Sequence, residues 1–168
     1  MRPIDELEEK RVKLSKAATT RGAEGEKDAM ILFENLIDRP KGKDMKNLLD
    51  ALTQLGLNIK STSFDKIDSG GVKIDFSDVN HLVQILPRLT FVEVKSTDRA
   101  SIPEDFSGYF FAITENEIDA SIILGEQYRV LLINKVTGYN KWTTVQALLE
   151  RAKSKTWQVS LNLGEELK

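Results

Sequence analysis

Cysteine is absent from this 168-residue chain, and histidine occurs once, at His81. These two shortages exclude disulfides, iron–sulfur clusters, cysteine nucleophiles and a zinc site built in the usual way from several Cys or His. A metal is left mainly with oxygen donors; carboxylates, carbonyls and water suit the hard divalent ions Mg²⁺, Mn²⁺ and Ca²⁺. The chain also lacks an apolar run approaching the roughly 18 residues that a membrane span takes. Its opening residues, Met1, Arg2, Pro3, Ile4, Asp5 and Glu6, hold no apolar stretch of the signal-peptide kind. The expectation is a cytoplasmic protein without membrane contact. An excess of one charge is missing too: 24 basic side chains face 26 acidic ones, for a net charge of -2. Nucleic-acid binding through sheer basicity is therefore not on offer.

What is present is ordinary for one domain with a real core, at 40% hydrophobic and 30% charged residues. The charge is unevenly placed. Lys10, Arg11, Lys13, Lys16 and Arg21 form a basic run without an acid, whereas Glu104, Asp105, Glu115, Glu117, Asp119 and Glu126 lie in a wholly acidic stretch. Two solvated faces are the plainer explanation of both.

Apolar periodicity predicts helices over 4–18, 24–37 and 44–55, the last with Asp44 as N-cap and Gly56 as stop. The period then shortens. Strands are expected at 57–60, 72–79, 89–95 and 109–113, with a turn cluster at 68–71, while 80–87 reads either as a short helix or as a wide connection. Thr114, Glu115, Asn116 and Glu117 spell a capping box that opens a helix ending at Gly125. The apolar strand 128–134 belongs near the middle of a sheet. A helix over 144–153 and an edge strand at 157–163 complete an α/β arrangement with a mixed sheet. The expected division is a basic N-terminal helix over 1–21, a core over 22–136 and a C-terminal helix with an edge strand over 137–168.

Chemistry concentrates at Phe91, Val92, Glu93, Val94, Lys95, Ser96 and Thr97. Alternation along a strand turns Glu93 and Lys95 to one side and Val92 and Val94 to the other, into the core. An acid and an amine presented together are what metal-dependent phosphodiester cleavage needs: a carboxylate to hold the ion and a cation beside the attacking water. Glu-x-Lys also occurs at Glu8 and Glu166, so the pattern alone is common, and a same-face ion pair worth at most roughly 1 kcal/mol explains it equally well. A hairpin of 72–79 with 89–95 would bring Asp75 near Glu93, with Asp65, Asp68 and Asp78 as competitors for the place. Glu26 lies in the first turn of its predicted helix, where the helix dipole favours a carboxylate in any case.

In order and spacing, Gly25 and Glu26, then Lys73, Ile74, Asp75 and Phe76, then Phe91 to Thr97, resemble the PD-(D/E)XK nuclease superfamily. The continuation through Tyr109, Phe110, Phe111, Ala112, Ile113, Thr114, Glu115, Asn116 and Glu117 to Tyr128, Arg129 and Val130 is similar to the branch that contains the C-terminal domain of NO VEIN-type and many restriction-system proteins. The resemblance spans about residues 22–136 and departs from the family pattern at Ile74, where a proline or glycine is frequent. It implies a restriction-endonuclease-like mixed β-sheet flanked by helices and a divalent-metal nuclease site. Asp75 and Glu93 would bind Mg²⁺ or Mn²⁺ with the Val94 carbonyl, Lys95 would position the hydroxide, and Glu26 would touch metal-bound water. The implied partner is DNA, approached by Lys13, Lys16 and Arg21, with Lys135, Lys141, Arg151, Lys153 and Lys155 as a second patch. No helix-turn-helix or finger spacing is visible to read a base sequence. A homodimer, or a subunit of a restriction or repair assembly, fits the same reading, and the Thr114 to Glu117 box is most simply structural. His81 reads as a turn residue rather than a base. The alternative functions are a catalytically weak module of this fold that binds DNA or a protein, and an unrelated α/β domain.

Overall fold

The structure, a computed structural model, describes residues 33–154. Five strands, β1 (Leu36–Asp38), β2 (Lys66–Asp68), β3 (Thr90–Thr97), β4 (Tyr128–Asn134) and β5 (Asn140–Thr143), form one sheet in chain order. The β1/β2, β2/β3 and β4/β5 pairs are antiparallel, and β3/β4 is parallel. A parallel pair cannot be joined by a tight hairpin. The connection between β3 and β4 accordingly crosses over through the helix Glu115–Leu124 and a following 3₁₀ turn. The expected mixed α/β sheet flanked by helices is thus present. Among the described residues no helix is long and apolar enough to cross a membrane.

We number the helices α1 (Gly42–Gln54), α2 (Val79–Ile85), α3 (Glu115–Leu124) and α4 (Val145–Arg151). Met45, Leu48 and Leu52 recur at i, i+3 and i+7 on α1 and are buried with Ala51. Asp44 is in the first turn of α1 rather than at its cap; Lys41 holds the cap position. Gly56 ends the helix at φ +76°, a conformation that costs glycine nothing. The larger core, including Leu48, Leu52, Leu82, Phe91, Leu124 and Tyr128, lies on the helix-covered side of the sheet. On the other face Leu36, Val92, Leu131 and Ile133 form a smaller cluster. Burying each such side chain contributes about 1.5–3 kcal/mol.

Several expected elements differ. Leu36, Ile37 and Asp38 are a strand and not the end of a helix, because they pair with Asp68, Ile67 and Lys66; residues 24–32 lie outside the described residues. Segments 57–60, 72–79 and 109–113 carry no ladder, and Val79 opens α2 instead. Val72, Ile74 and Phe76, and likewise Tyr109, Phe111 and Ile113, are nevertheless half-buried against the larger core and alternate with exposed neighbours. Alternation reports that one side of an extended chain is covered; a strand also needs a backbone partner beside it, and these segments pair with none in a ladder. The ambiguous 80–87 is helical, as α2 and a 3₁₀ turn at Leu86–Arg88. β5 is an element the sequence reading omits: residues 140–143 pair antiparallel with β4. The predicted helix 4–18 and edge strand 157–163 lie outside the described residues.

Candidate functional site

β3 continues past the end of β2, and the site is built in that overhang. Lys66 is the register partner of Val92, and the N–H of Asp65 also donates to the Val92 carbonyl at 2.9 Å. Two residues facing one is the arrangement of a β-bulge, which shifts side-chain phase and re-aims what precedes it. Phe64 and Ile67 consequently both enter the larger core although they are three residues apart. Asp65 is turned along β3, and its Oδ2 accepts the Val94 N–H at 2.9 Å, in the place of the strand carbonyl that β2 no longer supplies. The segment is held from three sides. Arg39 donates from one guanidinium nitrogen to the carbonyls of Ser61 at 3.2 Å and Phe64 at 2.9 Å, its N–H donates to the Asp65 carbonyl at 3.2 Å, and the buried Tyr128 hydroxyl donates to the Ser63 carbonyl.

Beside Asp65, Glu93 is 6% exposed, on the face of β3 that carries Phe91 into the larger core. The expected alternation holds, with Val92 and Val94 in the smaller cluster; what differs is that Glu93 is itself buried, on the side of the larger one. Lys95 Nζ donates to Glu93 Oε1 at 2.7 Å and to both oxygens of Glu117, at 3.2 and 3.1 Å. Glu117 closes the α3 capping box: its Oε2 accepts the Thr114 N–H at 2.9 Å and its own N–H donates to Thr114 Oγ1 at 3.3 Å. The start of α3 is thereby tied to the end of β3.

Burial pushes the Glu93 carboxyl up to about 9; the charge of Asp65 adds to this, Lys95 opposes it, and Glu117 again adds. Burial would lower the Lys95 ammonium, but Glu93 and Glu117 overcome it and hold Lys95 above its ordinary value. Burial first, then the charges of Glu93, Glu117 and Asp65, also raises the Tyr128 phenol. Three carboxylates share one small region with one ammonium.

Other expected site residues are placed elsewhere. Asp75 is not on a strand and is not brought to Glu93: it is exposed in the loop before α2, where its Oδ1 accepts from the Ser77 N–H at 2.9 Å and hydroxyl at 2.6 Å. Those bonds lower its pKa, and the charged groups acting on it are His81 and Lys73 rather than those of the cluster. Asp68 accepts from the Gly70 N–H, and Asp78 caps α2. His81 Nε2 lies 3.2 Å from the Lys73 carbonyl, a loop contact. Arg151 donates to the Asp105 carbonyl. Glu26, Lys13, Lys16 and Arg21 lie outside the described residues. Asp65 is only one of four candidates in the sequence because a bulge leaves no periodic trace, and Glu117 is hidden by its adequate explanation as a cap.

The donor set fits a hard divalent ion in part. Asp65 and Glu93 are adjacent, and a carboxylate that accepts one N–H keeps free lone pairs. Among the described residues no group of three His, Asp or Glu side chains is arranged to hold a metal. An ion at Asp65 and Glu93 would draw its remaining donors from backbone carbonyls and water, the manner usual for Mg²⁺. Comparison with protein-family models, curated proteins and solved structures finds no match.

Proposed function

We propose that this protein is a divalent-metal-dependent nuclease that hydrolyses phosphodiester bonds in DNA. The observation that carries the reading is the convergence of Asp65, Glu93 and Lys95 at the overhanging end of β3, two carboxylates and an ammonium within one partly buried region. The mixed sheet flanked by helices is compatible with the restriction-endonuclease-like fold that the sequence resemblance implies. In this reading Asp65 takes the place that the sequence reading assigns to Asp75.

Asp65, Glu93 and the Val94 carbonyl would hold Mg²⁺ or Mn²⁺, which supplies acidification of water and neutralisation of phosphate charge when bound. Lys95 donates a hydrogen bond to the attacking water or to a phosphate oxygen, and its fixed charge stabilises the negative charge that grows there. The Arg39 and Tyr128 contacts keep the 61–65 segment, and with it Asp65, in register with β3.

A second reading has its own observation. Lys95 is already hydrogen-bonded to both Glu93 and Glu117, and among the described residues no buried side-chain polar atom lacks a partner. Such a cluster is self-sufficient, as in a nuclease-fold module that binds DNA or a protein without cutting. Incubation of linear, circular, single-stranded and branched DNA with Mg²⁺, Mn²⁺ or EDTA separates the two. Metal-dependent cleavage that disappears in Glu93→Gln and Asp65→Asn supports the nuclease. Absence of cleavage by folded protein on the whole panel overturns it in favour of the binding module.

A further inference from the structure

We propose that Glu117, beyond capping α3, is a positioning residue that holds the Lys95 ammonium against Glu93, beside Asp65; this rests on the nuclease reading. The helix cap by itself asks only for one acceptor at the third helical position, and Glu or Gln supplies it equally. Glu117 does more than this. It is 6% exposed although it stands in the first turn of a helix, and both of its oxygens lie within 3.2 Å of Lys95 Nζ, 22 residues away in sequence. One of those oxygens, Oε2, also takes the Thr114 N–H.

The consequence is geometric. A lysine has a flexible four-carbon stem, and a single contact leaves its ammonium free to swing. Here Glu93 pulls it along the strand and Glu117 fixes it from the helix, so its direction is set by two elements. Glu117 is itself fixed by the cap, which passes the rigidity of the α3 start to the Lys95 ammonium. No third carboxylate is then needed for the ion: Glu117 spends its charge on Lys95 and leaves Asp65 and Glu93 to the metal.

Glu117→Gln separates the two roles, since it keeps the capping acceptor and nearly the same shape but loses the anion. The expected result is a thermal midpoint close to wild type, Mn²⁺ affinity within about threefold in a calorimetric titration, and kcat for DNA cleavage lowered about 10- to 100-fold with KM little changed. In parallel, Lys95 acylation by a small amine-reactive ester, followed by peptide mass spectrometry, should quicken in Glu117→Gln because a side chain no longer held by the Glu117 anion loses its proton to solvent and reaches the ester as the free amine more readily. Wild-type kcat and an unchanged acylation rate in that variant would overturn the proposal, as would a large loss of Mn²⁺ affinity, which would make Glu117 a ligand. Should Glu117→Gln not fold, Glu117→Asp, which keeps the charge on a shorter stem, must retain more turnover than Glu117→Ala; equality of the two overturns the positioning role. A wild-type protein that cuts nothing defeats the nuclease reading and the effect on turnover with it, while the acylation arm still decides whether Glu117 holds Lys95.

Discussion

Glu93 is the residue at which folding and chemistry oppose each other. Its folded-state pKa of about 9 stands above the 4.5 of an exposed glutamate because burial penalises the charged form. The folded chain therefore binds more protons than the unfolded chain between those values, and stability falls with pH across that window. The contribution is fully present below about 4.5 and lost as pH rises through about 9. Glu93→Gln cannot ionise, so its stability relative to wild type should grow over this window by up to about 1.4 kcal/mol per pH unit, as read by urea unfolding at several pH values. The same proton must leave when a divalent ion binds. Mg²⁺ or Mn²⁺ affinity should then increase with pH up to about 9 and release close to one proton per ion, which calorimetry in buffers of different ionisation enthalpy measures. Asp75 gives the contrasting case. Its bonds are confined to Ser77 in an exposed loop, so Asp75→Ala should retain wild-type cleavage and ion affinity. Loss of both in that variant would return the metal ligand to the position the sequence reading gives it.

At the scale of elements, two local devices create the site, and each has a separable cost. The bulge at Asp65 and Lys66 ends β2 early and leaves the Val94 N–H to a side chain. Asp65→Ala orphans that donor and should cost about 1–3 kcal/mol. Asp65→Asn keeps an acceptor and should unfold near wild type while losing ion affinity, so comparison of the two by denaturation and titration divides the structural from the chemical role. The capping box is the second device. Thr114→Ala should destabilise the protein by about 1 kcal/mol, with hydrogen exchange quickened in the first turn of α3 before the rest of the helix. This box is legible in the sequence as four adjacent residues, because a cap depends on local spacing alone. The bulge is not, since it exists only as a mismatch between two strands that lie far apart in the chain.

For the whole molecule, the parallel β3/β4 pair is the spine on which the rest depends. Phe91, Val92, Leu131 and Leu132 are all at or below 1% exposure, and Phe91→Ala should cost about 3–5 kcal/mol through lost burial and a cavity, seen as a lower urea midpoint. The apolar run of 128–134 and the β-branched run of 89–95 announce these strands, because a strand buried on both faces needs apolar residues almost continuously. Helix α1 is readable from its periodicity and α3 from its capping box. What the residues determine without help is therefore the covered side of each segment, the start of α3, the oxygen-only donors and the Glu93 and Lys95 pair. Tertiary structure alone decides which extended segments find an edge, so that 36–38 and 140–143 become strands while 72–76 and 109–113 do not. It likewise decides which aspartate meets Glu93. Asp65, Asp68, Asp75 and Asp78 are chemically identical, and only the pairing of β2 with β3, a contact between segments over twenty residues apart, turns one of them toward the site.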